Sequence, residues 1–231
     1  MKKPAWIVMD IEGTTSSVSF VHDVLFPYAF KNLEKFIQNN KHDQMVADAL
    51  SETARIVRDT EGRDIGPDEI IPTLLSWIEE DKKHTPLKTI QGMIWKLGYE
   101  NKEYQSHIYD DVLPCWKKWQ KEQINLAIYS SGSIPAQKLL FKHTSEGNVC
   151  PYLSGYFDTT TGAKRDTNSY QKIAKTLETP SESILFLSDI VEELHAAKEA
   201  GFQCTHVIRP GTQDQGFSSK VNTFNDLIWT T

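Results

Sequence analysis

The sequence is poor in cysteine, carries no excess of positive charge and has no long hydrophobic run. Its three cysteines, Cys115, Cys150 and Cys204, are widely separated and form no CxxC or Cys/His metal-ligand spacing. This argues against a disulfide framework and indicates reduced thiols in the cytoplasm. The net charge of −6 argues against a nucleic-acid binder. The apolar run near the start stops at Asp10, and no span of about 18 apolar residues follows, so we expect neither a signal peptide nor a membrane partner.

Five short apolar segments have the composition of buried strands. They lie at residues 5–9, 124–129, 155–159, 184–188 and 204–208. Helical patterns lie between the later segments, and this alternation predicts a parallel sheet covered by helices on both faces. The predicted fold class is therefore α/β.

Strand-like segments are missing between about residues 16 and 109, where the sequence has only amphipathic helical patterns. We therefore predict an all-helical domain at 16–109, inserted after the first strand, and an α/β core formed by 1–15 and 110–231. Pro27 and Pro72 lie in the insertion, and we expect both to start or kink helices rather than lie inside them.

Asp10 ends the first apolar segment, and Glu12 follows two residues later. An aspartate there caps a helix, lies in an exposed turn or takes part in chemistry at the edge of a sheet. Ligands of parallel α/β sheets bind beyond the carboxyl ends of the strands. Polar residues also follow the later strands: Ser130, Ser131, Lys164 and Asp189. Their joint placement favours the chemical interpretation.

The residue types at this edge suit phosphoryl transfer. Asp10 and Asp189 supply the hard oxygen ligands that Mg²⁺ takes, and a carboxylate held against a phosphate can attack phosphorus. Lys164 can neutralise the phosphoryl oxygens, and Ser130 can donate a hydrogen bond to one of them. Glu12 shares the loop of the nucleophile and can deliver or remove a proton.

Structural roles and other functions compete with this interpretation. The segment SSGSIP at 130–135 has the pattern of a helix N-cap, and Glu192 and Glu193 suit the acidic first turn of a helix. A phospho-aspartate receiver domain also places acids and a lysine at strand ends, but it lacks a large insertion after the first strand. A metal-free dehalogenase needs neither Glu12 nor the acids from Asp189 onward. A Mg²⁺-dependent phosphatase therefore fits best.

The segment Asp10-Ile-Glu12-Gly-Thr14 resembles the first motif of the haloacid dehalogenase-like superfamily, Asp-x-Asp-x-Thr/Val, with glutamate as the second acid. Together with this substitution, several longer segments are similar to the enolase-phosphatase family of methionine salvage: DIEGTTSSVSFVHDVLFPYAF, QGMIWKLGY, IYSSGSIPAQKLLFKHTSEGN, YFDTTTGAK and ILFLSDIVEELHAAKEAG. The resemblance covers nearly the whole chain and is weakest at 40–75 and in the last residues. It implies a Rossmann-like core, an inserted helical cap and one Mg²⁺ per subunit.

The resemblance also implies a substrate and residue roles. The family enolises 2,3-diketo-5-methylthiopentyl-1-phosphate and then removes its phosphate to give the acireductone. By position, Asp10 is the nucleophile and a metal ligand, Glu12 ligates the metal through its backbone carbonyl, and Asp189 completes the metal site. The residues that contact the substrate are Ser130, Ser131 and Lys164. We expect a cytoplasmic monomer whose partner is a small phosphorylated molecule.

Recognition of a methylthio diketone falls to the insertion, because the predicted core residues act only on phosphate. Lys88, Gln91 and Trp95 are spaced by three and four residues and share one face of a predicted helix. We predict that Lys88 polarises a substrate carbonyl or takes its proton, that Gln91 hydrogen-bonds the dione and that Trp95 packs on the thioether. A tryptophan on a helix is also typical of core packing. We expect the insertion to exclude water from the site.

Overall fold

The computed structural model describes residues 1–229, and six segments of this range form one sheet. The strands are β1 (Trp6–Met9), β2 (Asn125–Tyr129), β3 (Gly155–Phe157), β4 (Ile184–Ser188), β5 (Gln203–Val207) and β6 (Lys220–Val221). All neighbours pair in parallel, in the order β3-β2-β1-β4-β5-β6. The predicted parallel sheet is confirmed. The sequence did not predict β6, because two residues give no periodic pattern.

Helices cover both faces of this sheet. The longer helices between its strands are α6 (Val112–Lys121), α7 (Ile134–Lys142), α8 (Thr167–Thr176) and α9 (Val191–Glu199). Side chains of a strand alternate between the faces, so Ile7 and Met9 join a buried cluster with α6 and α7. Val8 joins a second buried cluster with α8 and α9. Burial on both faces explains why the segment that forms β1 is continuously apolar.

The insertion contains four long α-helices. Its helices are α2 (Phe26–Asn40), α3 (Gln44–Glu61), α4 (Pro67–Glu79) and α5 (Thr85–Glu100). Pro27 lies in the first turn of α2, as predicted. The prediction for Pro72 is wrong, because it lies inside α4. Leu74 and Trp77 of that helix are buried in the insertion's own core, and this packing outweighs the missing backbone hydrogen bond. Within residues 1–229, no helix combines the length and apolar character that crossing a bilayer requires.

The chain divides into a core unit, Met1–Phe20 with Gln105–Thr231, and a helical unit, Val21–Tyr104. Residues 16–20, which include the short helix α1 (Val18–Phe20), and residues 105–109 thus belong to the core unit rather than to the insertion. The amide of Tyr109 donates to the carbonyl of Thr15 at 3.1 Å. The amide of Ser17 donates to Nδ1 of His107 at 2.9 Å. These bonds join the two segments within the core unit.

Candidate active site

The carboxyl ends of β1 and β4 lie side by side. Met9 is in register with Leu187, and the amide of Asp10 donates to the carbonyl of Leu187 at 2.9 Å. Asp189 directly follows β4. From β1 the chain builds the sheet outward through β2 and β3, and then returns to place β4 on the other side of β1. Open α/β sheets bind ligands at this kind of reversal, so Asp10 and Asp189 stand where a ligand site is expected.

A tight turn at residues 10–16 brings Asp189 against the backbone that follows Asp10. The amides of residues 14–16 all donate to the carbonyl of Ile11. Gly13 has a φ of 73°, in the left-handed region that glycine tolerates best. A Cβ at Gly13 would lie 2.4 Å from Oδ2 of Asp189. The carboxylate of Asp189 therefore occupies the space that a side chain at position 13 would need. Only glycine at this position allows so close an approach.

Lys164 joins two carboxylates at this edge. Its Nζ lies 2.6 Å from Oδ1 of Asp10 and 2.7 Å from Oε2 of Glu193. Only 11% of the lysine side chain is exposed, so solvent screens these ion pairs weakly. Ser188 donates from Oγ to the same Oε2 of Glu193 at 2.9 Å. The ammonium is thus held between the end of β1 and the first turn of α9.

The pKa values of this cluster reflect burial and an excess of negative charge. Burial raises the pKa of the Asp189 carboxyl, and the carboxylates of Asp10 and Glu193 raise it further. Burial and Asp10 also raise the pKa of Glu193, while Lys164 opposes the shift. Burial alone would lower the pKa of Lys164, but its two carboxylate partners more than compensate and raise it above the usual value. Lys164 therefore stays charged at neutral pH.

The donor set suits a divalent cation. The carboxylates of Asp10, Asp189 and Glu193 are all buried, and the ammonium of Lys164 pairs with those of Asp10 and Glu193. Oδ1 of Asp189 is buried and has no hydrogen-bond partner within residues 1–229, and such an orphaned acceptor is costly. In the same range, no three Asp, Glu, His or Cys side chains form a metal-ligand group by themselves. Mg²⁺ takes one or two carboxylates and keeps several waters, so the buried carboxylates and the orphaned Oδ1 of Asp189 are oxygen donors of the kind that it uses.

The loop after β2 presents hydroxyl groups at the same edge of the sheet. The amide of Ser130 donates to the carbonyl of Phe157 at 3.2 Å, and its Oγ accepts from the amide of Gly132 at 3.2 Å. The hydroxyl hydrogen of Ser130 can therefore still be donated to a substrate oxygen. Nε2 of Gln137 donates to the carbonyls of Gly132 and Phe157, both at 2.8 Å. These two bonds tie the loop after β2 to the end of β3. Ser131 is exposed.

Glu12 lies in the turn between Asp10 and Gly13. It forms an isolated bridge with Ser16 across this turn, and its side chain is half-buried. The turn therefore fixes the backbone of Glu12 near Asp10.

The cap residues that we singled out all lie on α5, within the helical unit. Gln91 is buried, and Lys88 is half-buried. Nε1 of Trp95 donates to the carbonyl of Leu25 at 2.8 Å, and its ring stacks on Phe26 with 6.4 Å between centroids. The indole therefore contributes to packing inside the helical unit, and the assignment of these three residues to substrate recognition stays a prediction.

Sequence reasoning underestimated two residues of the site. It left the role of Glu193 open between the acidic first turn of a helix and a place among the acids that follow Asp189, whereas in the structure the side chain is buried and paired with Lys164. A possible signal was its position four residues after Asp189, one helical turn from a strand-end acid. Gly13 was treated as part of a motif. Its spatial relation to Asp189 has no local signature, because the two residues are 176 positions apart.

Comparisons with known proteins identify the family of the chain. The family model of the haloacid dehalogenase-like hydrolases matches residues 5–201. The chain is 47% identical to enolase-phosphatase E1 of Hahella chejuensis, over 96% of this chain and 94% of the relative. It is 50% identical to enolase-phosphatase E1 of Alcanivorax borkumensis, over 85% of each. The crystal structure of the UTR4 protein from Saccharomyces cerevisiae superposes with a TM-score of 0.79 at 30% identity, covering 97% of this chain and 100% of that one.

The family model covers more than half of the chain, so the chain belongs to the haloacid dehalogenase-like hydrolase family, and it is a hydrolase with a parallel α/β sheet. Relatives that match almost its whole length bear the name enolase-phosphatase. The protein is therefore an enzyme with phosphatase activity, as the motifs predicted.

Proposed function

We propose that this phosphatase is a Mg²⁺-dependent enolase-phosphatase of methionine salvage. It converts 2,3-diketo-5-methylthiopentyl-1-phosphate to the acireductone 1,2-dihydroxy-3-keto-5-methylthiopentene and phosphate. The observation that carries the proposal is the ammonium of Lys164, held between Asp10 and Glu193 beside Asp189. The names of the relatives support the choice of substrate.

The metal ligands in this proposal are the side chains of Asp10 and Asp189 and the backbone carbonyl of Glu12. When bound, Mg²⁺ neutralises negative charge on the carboxylates and on the substrate phosphate, so that an anionic nucleophile and an anionic substrate can meet. The orphaned Oδ1 of Asp189 and the excess of carboxylates support this assignment.

Lys164, Ser130 and Ser131 bind the phosphate in the proposed mechanism. The ammonium of Lys164 neutralises the phosphoryl oxygens and at the same time fixes one oxygen of Asp10. The hydroxyl of Ser130 donates to a second phosphoryl oxygen, while its own Oγ is held by the amide of Gly132. Groups that are fixed before the substrate arrives need little reorganisation during the reaction.

Phosphate transfer then proceeds in two displacements at phosphorus. A carboxylate oxygen of Asp10 forms a bond to phosphorus, and the bond from phosphorus to the substrate oxygen breaks. Glu12 protonates the leaving oxygen and later removes a proton from the water that hydrolyses the aspartyl-phosphate. The carboxylate of Asp10 is thereby regenerated and inorganic phosphate leaves.

Enolisation precedes this transfer, and we assign recognition of the diketone to the cap residues Lys88, Gln91 and Trp95. Lys88 polarises a carbonyl or takes the carbon-bound proton, Gln91 bonds the dione, and Trp95 packs on the thioether. Gln91 is buried, and the indole of Trp95 donates to the carbonyl of Leu25 inside the helical unit. We further propose that the enzyme acts as a cytoplasmic monomer, which gel filtration and cell fractionation would test.

The decisive experiment follows the two steps of the reaction separately. Purified protein with Mg²⁺ receives the diketo phosphate, the enol is followed by its ultraviolet absorbance, and phosphate is measured in the same samples. We expect the enol to appear and phosphate to be released, and the Asp10→Asn variant to release none. Release of phosphate without any enol product would contradict the enolising step and leave a phosphatase that acts on another class of substrate. Undiminished release by Asp10→Asn would refute the aspartyl-phosphate.

A further inference from the structure

The backbone that carries Lys164 is held by three hydroxyl groups. Three consecutive carbonyl oxygens precede α8, those of Gly162, Ala163 and Lys164. The hydroxyl of Tyr129 donates to the first at 3.0 Å, Oγ of Ser169 donates to the second at 2.8 Å, and the hydroxyl of Tyr170 donates to the third at 2.6 Å. Each carbonyl of this short segment therefore has its own side-chain donor.

The three donors stand on rigid elements of the core. Tyr129 is the last residue of β2, and Ser169 and Tyr170 lie in the first turns of α8. All three are at most 1% exposed. The rings of Tyr129 and Tyr170 meet edge to face with 5.6 Å between centroids, and Tyr170 also meets Phe186 of β4 at 5.1 Å. The two tyrosine hydroxyls are thus positioned by ring packing at the sheet, and the hydroxyl of Ser169 by its place on α8.

The fit between this segment and α8 is close. Gly162 has a φ of 148°, and a Cβ there would lie 2.1 Å from Oγ of Ser169. A side chain at position 162 would clash with Ser169, so only glycine allows the backbone to lie this close to α8. Burial raises the pKa of Tyr129 and of Tyr170, so both hydroxyls keep their protons and remain donors across the physiological range.

A lysine side chain is long and flexible, so the position of its ammonium depends on the backbone from which it starts. Here Nζ must reach Asp10 and Glu193 together, at 2.6 and 2.7 Å, and it lies 5.9 Å from the ring centroid of Tyr129. A shift of about 1 Å in a group that contacts the substrate can cost a factor of 10². A fixed backbone at Lys164 therefore matters for the site.

We propose that Tyr129, Ser169 and Tyr170 are positioning residues that fix the ammonium of Lys164 for phosphate binding. The inference rests on the proposed role of Lys164 as a phosphate ligand. Tyr170 bonds the carbonyl of Lys164 itself, so its hydroxyl has the largest effect. The three act through Lys164 and do not contact the substrate.

The test compares Tyr170→Phe, Tyr129→Phe and Ser169→Ala with wild type in the presence of Mg²⁺. Selective ¹⁵N labelling of lysine follows the Lys164 ammonium by NMR, and a Lys164→Met variant identifies its signal. Calorimetry measures the Kd of inorganic phosphate. The matched control is Tyr152→Phe: Tyr152 is a partly buried core-unit tyrosine that packs on the other face of the sheet, and its hydroxyl makes no hydrogen bond within residues 1–229.

In wild type we expect a slowly exchanging ammonium signal, because Nζ is shielded and held by two carboxylates. Tyr170→Phe should broaden or shift this signal and weaken phosphate binding about five- to tenfold, the effect of one lost hydrogen bond. Tyr129→Phe and Ser169→Ala should act in the same direction with smaller effects, and Tyr152→Phe should match wild type. The unfolding midpoint of each variant identifies any that is not folded, and the other two variants then carry the test.

The outcomes separate the inference from the proposed function. An unchanged ammonium signal in all three variants would overturn the positioning role. A changed signal with unchanged phosphate affinity would support the positioning role and contradict phosphate binding by Lys164. Unchanged phosphate affinity in Lys164→Met would likewise contradict that part of the proposed function, whatever the other variants show.

Discussion

Arg209 donates from Nε to the carbonyl oxygen of Thr14 at 3.0 Å, so a residue beyond β5 holds the turn that follows Asp10. Its Nη1 donates to both carboxylate oxygens of Asp111 at 2.9 Å. The guanidinium lies between the rings of Tyr109 and Phe224, 4.4 and 4.7 Å from their centroids. Arg209 therefore links the turn at Thr14 to the segment of Tyr109 and Asp111 and to Phe224.

Arg209→Met should destabilise the protein strongly. The change leaves the carboxylate of Asp111, only 10% exposed, without its cation, and breaking a largely buried ion pair in this way typically costs about 3–5 kcal/mol. Urea unfolding followed by circular dichroism measures the loss. The control is Arg55→Met, which removes exposed ion pairs to Glu52 and Asp59 and should leave the midpoint unchanged. Equal stability of the two variants would mean that Arg209 does not hold the turn.

Gly13→Ala should abolish phosphatase activity, whereas Gly62→Ala should not. Both glycines have similar φ values, 73° and 68°, so both alanines carry a backbone strain of about 1–2 kcal/mol. Only at Gly13 does the new Cβ meet Asp189, and nothing lies within 4 Å of the Cβ position at Gly62. Thermal unfolding and hydrolysis of an aryl phosphate compare the variants. An active Gly13→Ala enzyme would show that the close approach of Asp189 is not needed.

Glu12→Gln should slow alkyl phosphate hydrolysis by about 10²–10⁴-fold, the usual contribution of an acid–base group. An aryl phosphate has a better leaving group and needs less protonation, so its hydrolysis should suffer less. The ratio of kcat/KM for the two esters is the measurement. An equal loss on both would indicate that Glu12 serves the structure or the metal geometry instead.

Removal of Mg²⁺ should abolish activity and lower thermal stability. The three carboxylates repel one another without a cation, and a ligand at 100 times its Kd stabilises the native state by about 2.7 kcal/mol. Asp189→Asn should lose most of the Mg²⁺-dependent rise in midpoint, and the exposed Asp214→Asn should keep it. Ca²⁺ should inhibit, because its longer bonds misplace the attacking oxygen. Full turnover after dialysis against EDTA would contradict the metal assignment.

Lys88→Ala should depress enolisation of the diketo phosphate and spare hydrolysis of a small ester that needs no cap contact. Lys96→Ala is the matched control, because Lys96 is an exposed lysine of the same helix whose nearest carboxylate, Glu100, lies 3.9 Å away. Enol absorbance and phosphate release are measured for both variants. A parallel loss of both activities in Lys88→Ala, or no change in either, would show that this face of α5 is the wrong one.

The chain order of polar residues at strand ends predicted much of the site. Asp10, Lys164 and Asp189 could be placed at one sheet edge, because parallel strands bring their carboxyl ends together whatever the loops between them do. The helical insertion followed from the missing strands between 16 and 109. The fold class was predictable for the same reason, since continuous apolar runs of strand length indicate a doubly covered sheet.

The supporting contacts could not be predicted. Tyr129 reaches the carbonyl of Gly162 across 33 residues, and Arg209 reaches Thr14 across 195. Contacts to backbone carbonyls place no demand on the residue type at the accepting position, so they leave no paired pattern in one sequence. Such contacts depend on packing, which only the structure provides.

The central position of β1 has a consequence for how the chain folds. β1 is synthesised before both of its partners, and it pairs with strands that begin 119 and 178 residues after Trp6, at Asn125 and Ile184. Closing such long loops costs entropy before any contact is gained. The helical unit is formed by one continuous segment of the chain, so we expect it to fold early during translation. β1 cannot pair until β2 and β4 have been synthesised. We therefore expect Asp10, at the end of β1, to be among the last parts of the enzyme to be assembled, because β1 lacks a neighbour until β4 has been synthesised.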